Sequence, residues 1–580
     1  MKSVINLNGD WKFAPTYDQK PTNNHNVIDS NIPLYAHDQL IRTGWQAVTV
    51  PGVWQRYAEK YSVYEGVCWF FREFEIDGIS NGDLARIVFK SVNYRADVYI
   101  NNQYVGYHES GYTEFFFDVS SFLRQGKNSV AVKVDNRPTE VKWPNDWGYG
   151  VFGGIHRDVF IELYRGEYLL DVKLIPDYDA DKKKAILNFE ADAVGIDGVT
   201  LKLCDTENTV KAENGKIKAR LEYELTPWSP ENPVLYKLQI YAGKELHYSK
   251  SIGFRSVCCK DKKFHLNGVE TRLNGVCYVY DSPKYGLVMA KEQLKADLEL
   301  MKSANVNSIR THYPMSDLFY EMCDEMGFMV WIEPNIYCSK PSNEETNTVF
   351  KQKEFVDVAI SMTREMVLAA TSFASVVIYG IGNECNVAHP EALEFFEKVS
   401  ETVRECDKTR ILGYASLFGA VGNIGHLVDI MGINSYYGWY GTIKTFDVED
   451  KLPTVDGKVV ARKADVSRIH ALIEKVNGDI PENMPILLTE FGGDSVPGYY
   501  SSCLELWSEN YHADVVSEYI KASLEHKSVV GTFAFAFSDY SDPSKPLNGR
   551  WNGYNLKGMV SYEREIKLPY YAIREAYEKI

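Results

Sequence analysis

Two hydrophobic rhythms divide the chain. Up to about residue 256, apolar residues come in short runs or at every second position, the spacing of strands whose side chains alternate between two faces. Trp69-Phe70-Phe71-Arg72-Glu73-Phe74-Glu75-Ile76, Ala96-Asp97-Val98-Tyr99-Ile100 and Ser129-Val130-Ala131-Val132-Lys133-Val134 are such runs. Asn101-Asn102-Gln103 interrupts the pattern before Tyr104-Val105-Gly106 and predicts a turn. No long helical pattern precedes residue 165, so 1–165 is expected to be an antiparallel, jelly-roll β-sandwich. Runs at 168–174, 185–189 and 235–241 continue in the same style, and about seven short strands over 166–256 predict an immunoglobulin-like sandwich.

From residue 257 the rhythm changes. Strand-like runs at 271–276, 306–310, 328–333, 376–381, 410–414, 429–434, 486–490 and 529–535 alternate with helical stretches such as 291–303 and 392–404. Eight strands with intervening helices over 257–580 is the count of a (β/α)8 TIM barrel. A doubly wound open sheet is the alternative, but it would rarely put polar residues at so many strand ends.

The formal net charge of −16 argues against a nucleic-acid partner, which would select for a basic face. An anionic substrate must then be met by a few local cations, because the global field repels it. The ten cysteines show no metal-ligand spacing and read as reduced, buried thiols. The N-terminus lacks an apolar signal core, and no apolar run reaches the ~18 residues of a membrane helix. A cytoplasmic protein without membrane contact is expected.

In a barrel of this kind, chemistry sits where the strands end. Those ends carry Asp281, then Arg310-Thr311-His312-Tyr313, Glu333, Asn383-Glu384, Asn434-Ser435-Tyr436-Tyr437, Glu490 and Asp539. An isolated Glu after a strand is usually a loop ion pair, and an isolated His a scaffold residue. So many polar ends on one rim point to catalysis. Glu384 and Glu490, on well-separated strands, fit the carboxyl pair of a glycosidase that retains configuration, about 5–5.5 Å apart.

Here the motifs become specific. Asn307-Ser308-Ile309-Arg310-Thr311-His312-Tyr313-Pro314, Cys323-Asp324-Glu325-Met326-Gly327, Gly382-Asn383-Glu384 and Gly153-Gly154-Ile155-His156-Arg157-Asp158-Val159 resemble signatures of glycoside hydrolase family 2. The resemblance covers essentially the whole chain. It is closest to the β-glucuronidases through Asn434-Ser435-Tyr436-Tyr437-Gly438-Trp439-Tyr440, Thr489-Glu490-Phe491-Gly492-Gly493-Asp494 and Asn555-Leu556-Lys557-Gly558. It implies Glu384 as acid/base, Glu490 as nucleophile, Asn383 at the 2-hydroxyl, Tyr436 on the nucleophile and Arg310 as its electrostatic support. Asp281, His312, Asn434 and Tyr440 are implied to line the sugar, with Asn555 and Lys557 on its carboxylate. Glu490 should be held ionised by a cation and hydroxyl donors, and Glu384 raised by burial and its charged neighbour.

Several positions depart from the glucuronidase pattern. Gly275-Val276-Cys277-Tyr278-Val279-Tyr280-Asp281 lacks the Arg-His-Glu that usually precedes this Asp. Phe535 stands for Trp, Ser435 for Arg, and Trp551 for an Arg before the Asn-x-Lys string. Tyr337 stands where magnesium-dependent β-galactosidases of the family carry a carboxylate, so no catalytic metal or other cofactor is expected. The expected activity is retaining exo-hydrolysis of a terminal β-D-glucuronic acid. The alternatives are a β-galacturonidase or β-galactosidase of the family, or an inactive carbohydrate-binding protein. The expected partner is a β-hexuronide, and a homo-oligomer is expected.

Overall fold

The computed structural model describes residues 2–16, 45–80, 82–137, 139, 142, 152–337, 349–440, 454–455, 458–459, 461–542 and 553–580. A six-stranded antiparallel sheet and a four-stranded one make up the N-terminal sandwich. Phe13, Phe70, Val98, Val132, Ile87 and Ile161 lie between them, each fully buried, as period-two patterning requires. The turn between Arg95–Ile100 and Gln103–Glu109 is only Asn101-Asn102, at φ 48° and 71°, with Gln103 already in the second strand. Asn tolerates this left-handed backbone better than most residues. Among the described residues before 165, helical structure is limited to the one-turn segments Trp54–Arg56 and Glu59–Tyr61.

The immunoglobulin-like sandwich pairs Tyr168–Asp179, Lys184–Val194 and Lys216–Tyr223 against a sheet of Thr206–Lys211, Gly198–Leu203, Tyr236–Ala242 and Glu245–Ile252. A small three-stranded sheet, formed by residues 257–270, leads into the barrel.

The barrel closes in chain order through Leu273–Cys277, Ser308–Arg310, Met329–Ile332, Val376–Asn383, Ile411–Leu417, Ile430–Asn434, Ile486–Glu490 and Val529–Ala534, all neighbours parallel. Large rings fill its interior where glycines leave room. A Cβ at Gly275 would lie 2.3 Å from the Phe533 ring, and one at Gly380 would lie 2.4 Å from Trp331 Nε1. Among the described residues no helix is long and apolar enough to cross a membrane. The described cysteines are reduced thiols, but Cys204, in the hairpin turn between Gly198–Leu203 and Thr206–Lys211, and Cys258, on the edge strand Val257–Lys260, are exposed rather than buried.

Two arginines, Arg157 half-buried and Arg255 buried, bind the two sandwiches to the barrel. Arg157 donates to the carbonyls of Tyr112 (2.8 Å), Pro314 (2.6 Å) and Met315 (3.1 Å), and so fixes the loop after barrel strand two. Arg255 donates to Ala374 O (3.2 Å) and Val376 O (2.7 Å) at the start of strand four. The Gly153-Gly154 pair is steric in origin: a Cβ at Gly153 would lie 2.0 Å from the Trp54 ring, and Gly154 has φ 137°.

Candidate active site

Glu490 ends barrel strand seven, and its carboxylate is the hub of the rim. Oε1 accepts from Arg310 Nη1 at 2.9 Å and from His312 Nε2 at 2.8 Å; Oε2 accepts from the Tyr436 hydroxyl at 2.6 Å. All four side chains are buried. Burial alone would favour the neutral acid. The hydrogen bond and charge of His312, the Arg310 guanidinium and the Tyr436 hydroxyl outweigh it and bring the Glu490 pKa down from 4.5 to about 2. Burial and the Glu490 charge push the Tyr436 phenol well above its usual value, so it stays protonated and donating.

Arg310 spends its remaining donors on the same rim. Nε pairs with Glu333 Oε1 at 2.7 Å, Nη1 also reaches Thr489 O at 3.2 Å, and Nη2 donates to Asn383 Oδ1 at 2.9 Å. Glu333 is therefore the counter-ion of Arg310. Asn383 Oδ1 also accepts from Asn434 Nδ2 at 2.9 Å. That same Nδ2 donates to Glu384 Oε1 at 2.8 Å, and Asn434 Oδ1 accepts from Thr489 Oγ1 at 2.7 Å. One continuous network thus links Glu384 to Glu490 through Asn434, Asn383 and Arg310. Glu384 itself has φ 52°, a left-handed backbone that a non-glycine residue adopts at a cost, and such positions cluster at functional sites.

The network brings together Arg310, His312, Asn383, Glu384, Asn434, Tyr436 and Glu490. Tyr440 packs on Tyr436 with ring centroids 5.0 Å apart, and Phe535 stands edge-on to His312 at 5.7 Å. His312, expected on the sugar, has its Nε2 on Glu490.

Other expected site residues are engaged elsewhere. Asp281 accepts from Ser541 N (3.0 Å) and the Tyr562 hydroxyl (3.2 Å), with Arg56 of the N-terminal sandwich 3.6 Å away. Asp539 does not join the rim network: it pairs with the buried Lys567 at 3.0 Å, and burial raises its pKa to about 7. Ser435 does not stand in for an arginine on the sugar, because its hydroxyl lies 3.3 Å from Tyr519 on the helix behind. Asn555 donates to the Tyr540 hydroxyl at 2.7 Å and accepts from Lys557 N at 3.1 Å. The Lys557 ammonium forms a buried ion pair with Asp494 and sits 4.7 Å from the Tyr440 ring and 5.7 Å from those of Tyr436 and Trp439. Tyr337 is buried and bridges to Asn383 through its backbone. Trp551 and residues 338–347 lie outside the described residues.

Asp494, Thr489 and Tyr540 were missed as contributors. Asp494 and Thr489 had one signal: both lie in the motif around Glu490, of which only Glu490 was given a role.

Residues 4–165 match the sugar binding domain of glycosyl hydrolases family 2, 257–580 match its TIM barrel domain, and 167–255 match a further model of glycosyl hydrolases family 2. The chain belongs to glycosyl hydrolases family 2. It is accordingly a glycosidase. It is 25% identical to a β-glucuronidase of Bacteroides fragilis, over 83% of this chain and 70% of that protein. It is also 29% identical to a β-galactosidase of Staphylococcus xylosus, over 65% of this chain but only 39% of that longer protein. A solved structure of a β-galacturonidase from Eisenbergiella tayi bound to galacturonate shares the fold, with TM-score 0.81, 24% identity, and coverage of 100% of this chain and 98% of that one.

Proposed function

We propose that the protein is a retaining exo-β-hexuronidase that removes a terminal β-D-glucuronic acid. The observation that carries the uronide part is Lys557: a buried ammonium walled by Tyr436 and Tyr440, one side chain removed from Glu490. A charge-assisted contact to a sugar carboxylate in such a place is strong and directional.

In this reading Glu490 attacks the anomeric carbon while Glu384 protonates the departing oxygen, and a glycosyl ester forms on Glu490. Glu384 then takes a proton from water as that water attacks the anomeric carbon from the face the leaving group vacated and expels the Glu490 carboxylate; two inversions retain the configuration. The low pKa of Glu490 supports its role as the ionised nucleophile. Arg310 and His312 hold Glu490 in place, and the Tyr436 proton stabilises the carboxylate as it leaves. Asn383 uses its oxygen on Arg310 and Asn434, which leaves its amide N–H groups for the sugar 2-hydroxyl.

One observation favours a second reading, a neutral β-galactoside. Asp494 already cancels the charge of Lys557, so the site presents no net cation. Turnover of 4-nitrophenyl β-glucuronide, β-galacturonide and β-galactoside, side by side, decides between the two. The uronides should be preferred, and in Lys557→Ala the uronide-to-galactoside ratio of kcat/KM should fall by about tenfold to a hundredfold. An unchanged ratio would remove the case for a uronidase.

The donors on Glu490 make a pH prediction. Tyr436→Phe removes the Oε2 partner, and His312→Gln removes one on Oε1. Fewer groups then favour the anion, so the Glu490 pKa rises from about 2. The acidic limb of the kcat/KM profile should move to higher pH in both variants. A limb that stays in place in both would mean that these donors do not control the ionisation of Glu490.

A further inference from the structure

We propose that Asp494 is a positioning residue: it holds Lys557 aimed at a sugar carboxylate and thereby sets the charge selectivity of the site. The proposal rests on the hexuronidase reading above.

The geometry begins at Glu490. The loop that leaves it, Phe491-Gly492-Gly493-Asp494, is pressed against the exit of barrel strand eight. Gly492 has φ 153°, and a Cβ there would lie 2.7 Å from the Phe535 carbonyl oxygen. This close approach carries Asp494 under the Asn555-Leu556-Lys557-Gly558 segment. One carboxylate then grips that segment twice: Oδ1 accepts from Leu556 N at 3.1 Å, and Oδ2 takes the Lys557 ammonium. Both side chains of the ion pair are only 1% exposed. The strand that carries Glu490 therefore also dictates where Lys557 points.

Every neighbour of the ammonium fits this role. Tyr440, Tyr436 and Trp439 turn ring faces toward it at 4.7, 5.7 and 5.7 Å, and Glu490 lies beyond the Tyr436 hydroxyl. His512 carries no competing charge, since burial and then Lys567 and Lys557 push its pKa well below the usual value. Behind Asp494 sits a second buried pair, Asp539 with Lys567. Rings attract a cation but do not replace an anion, and a buried ammonium without one is costly. Asp494 supplies that anion before substrate arrives. An ammonium has three N–H donors, and among the described residues Lys557 commits one, to Asp494. The other two serve a carboxylate without any change in the first contact. A neutral sugar draws on none of this.

The test uses Asp494→Asn, which keeps shape and removes charge, with Lys557→Met and the double variant, each assayed on 4-nitrophenyl β-glucuronide, β-galacturonide and β-galactoside from neutral to alkaline pH. Asp494→Asn should lower the uronide-to-galactoside ratio of kcat/KM at least about tenfold. On uronides the double variant should match Lys557→Met, since Asp494 acts through Lys557. A merely structural role would lower all three substrates together and leave the ratio unchanged, and that result overturns the proposal. Asp494→Glu, with the charge kept but displaced by one methylene, should lie between wild type and Asn; it carries the same ratio test if Asp494→Asn fails to fold. If Lys557→Met destroys the uronide preference while Asp494→Asn keeps it, the inference fails and the hexuronidase reading stands. If neither variant alters the ratio, the hexuronidase reading itself fails.

Discussion

Glu490→Gln should lower kcat by several orders of magnitude while the protein stays folded. The loss is large because the covalent route disappears with the nucleophile. The fold survives because Arg310, the buried cation on Glu490, keeps a second counter-ion: Glu333 Oε1 lies 2.7 Å from its Nε. The amide oxygen of Gln can still accept from Arg310 or His312, so no bare buried charge is left behind. Two measurements check the assignment. Thermal unfolding of the variant should remain a single transition near that of the wild type. A 2-fluoro-glycoside of the preferred sugar should trap an ester on the wild-type enzyme, and peptide mass spectrometry should find it on Glu490. A label on Glu384, Glu333 or Asp281 would overturn the nucleophile assignment.

Strand periodicity located this site because barrel strands are buried on both faces and their ends interrupt an apolar run. The strand expected at 486–490 is Ile486–Glu490, and the helix expected at 291–303 is Lys291–Ser303. Strand five runs past its expected end at 414 to Leu417, because Ser416 satisfies its hydroxyl on Gly432 O at 2.6 Å and so tolerates burial. Local reading identified each carboxylate but not its partner. Asp539 and Glu490 both stood among the polar strand ends, yet one pairs with Lys567 and the other with Arg310 and His312. The Arg56–Asp281–Tyr562 cluster joins three regions of the chain, and no periodicity reports such a contact. Ser435 is a further case. The sequence showed only that it stands for the usual Arg, and not that its hydroxyl is turned to the helix Glu509–Leu524.

Glu384→Ala should separate the two chemical steps. Loss of the acid costs most where the leaving oxygen needs a proton, so glycosides of alkyl alcohols should slow by several orders of magnitude. Activated phenols, which depart as anions with little protonation, should form the glycosyl ester at a much less affected rate and then stall. The stall follows because the same residue must take the proton from water in the second step. A small anion needs no such help. Azide should enter the space left by the side chain, attack the ester on Glu490 and release a β-glycosyl azide, with turnover of the activated phenol rising with azide concentration. The surrounding geometry favours this outcome. Asn434 loses only one acceptor, Glu384 Oε1, and its Nδ2 remains bound to Asn383 Oδ1 at 2.9 Å, so Arg310 and Glu490 keep their places. The left-handed backbone at residue 384 (φ 52°) is no harder for alanine than for glutamate. The anomeric configuration of the azide, read by proton NMR, is the deciding result. A β-product means two inversions and a covalent intermediate on Glu490, whereas an α-product means direct displacement and would overturn the retaining mechanism. Loss of rate that does not vary with leaving-group pKa would instead assign proton donation to another residue.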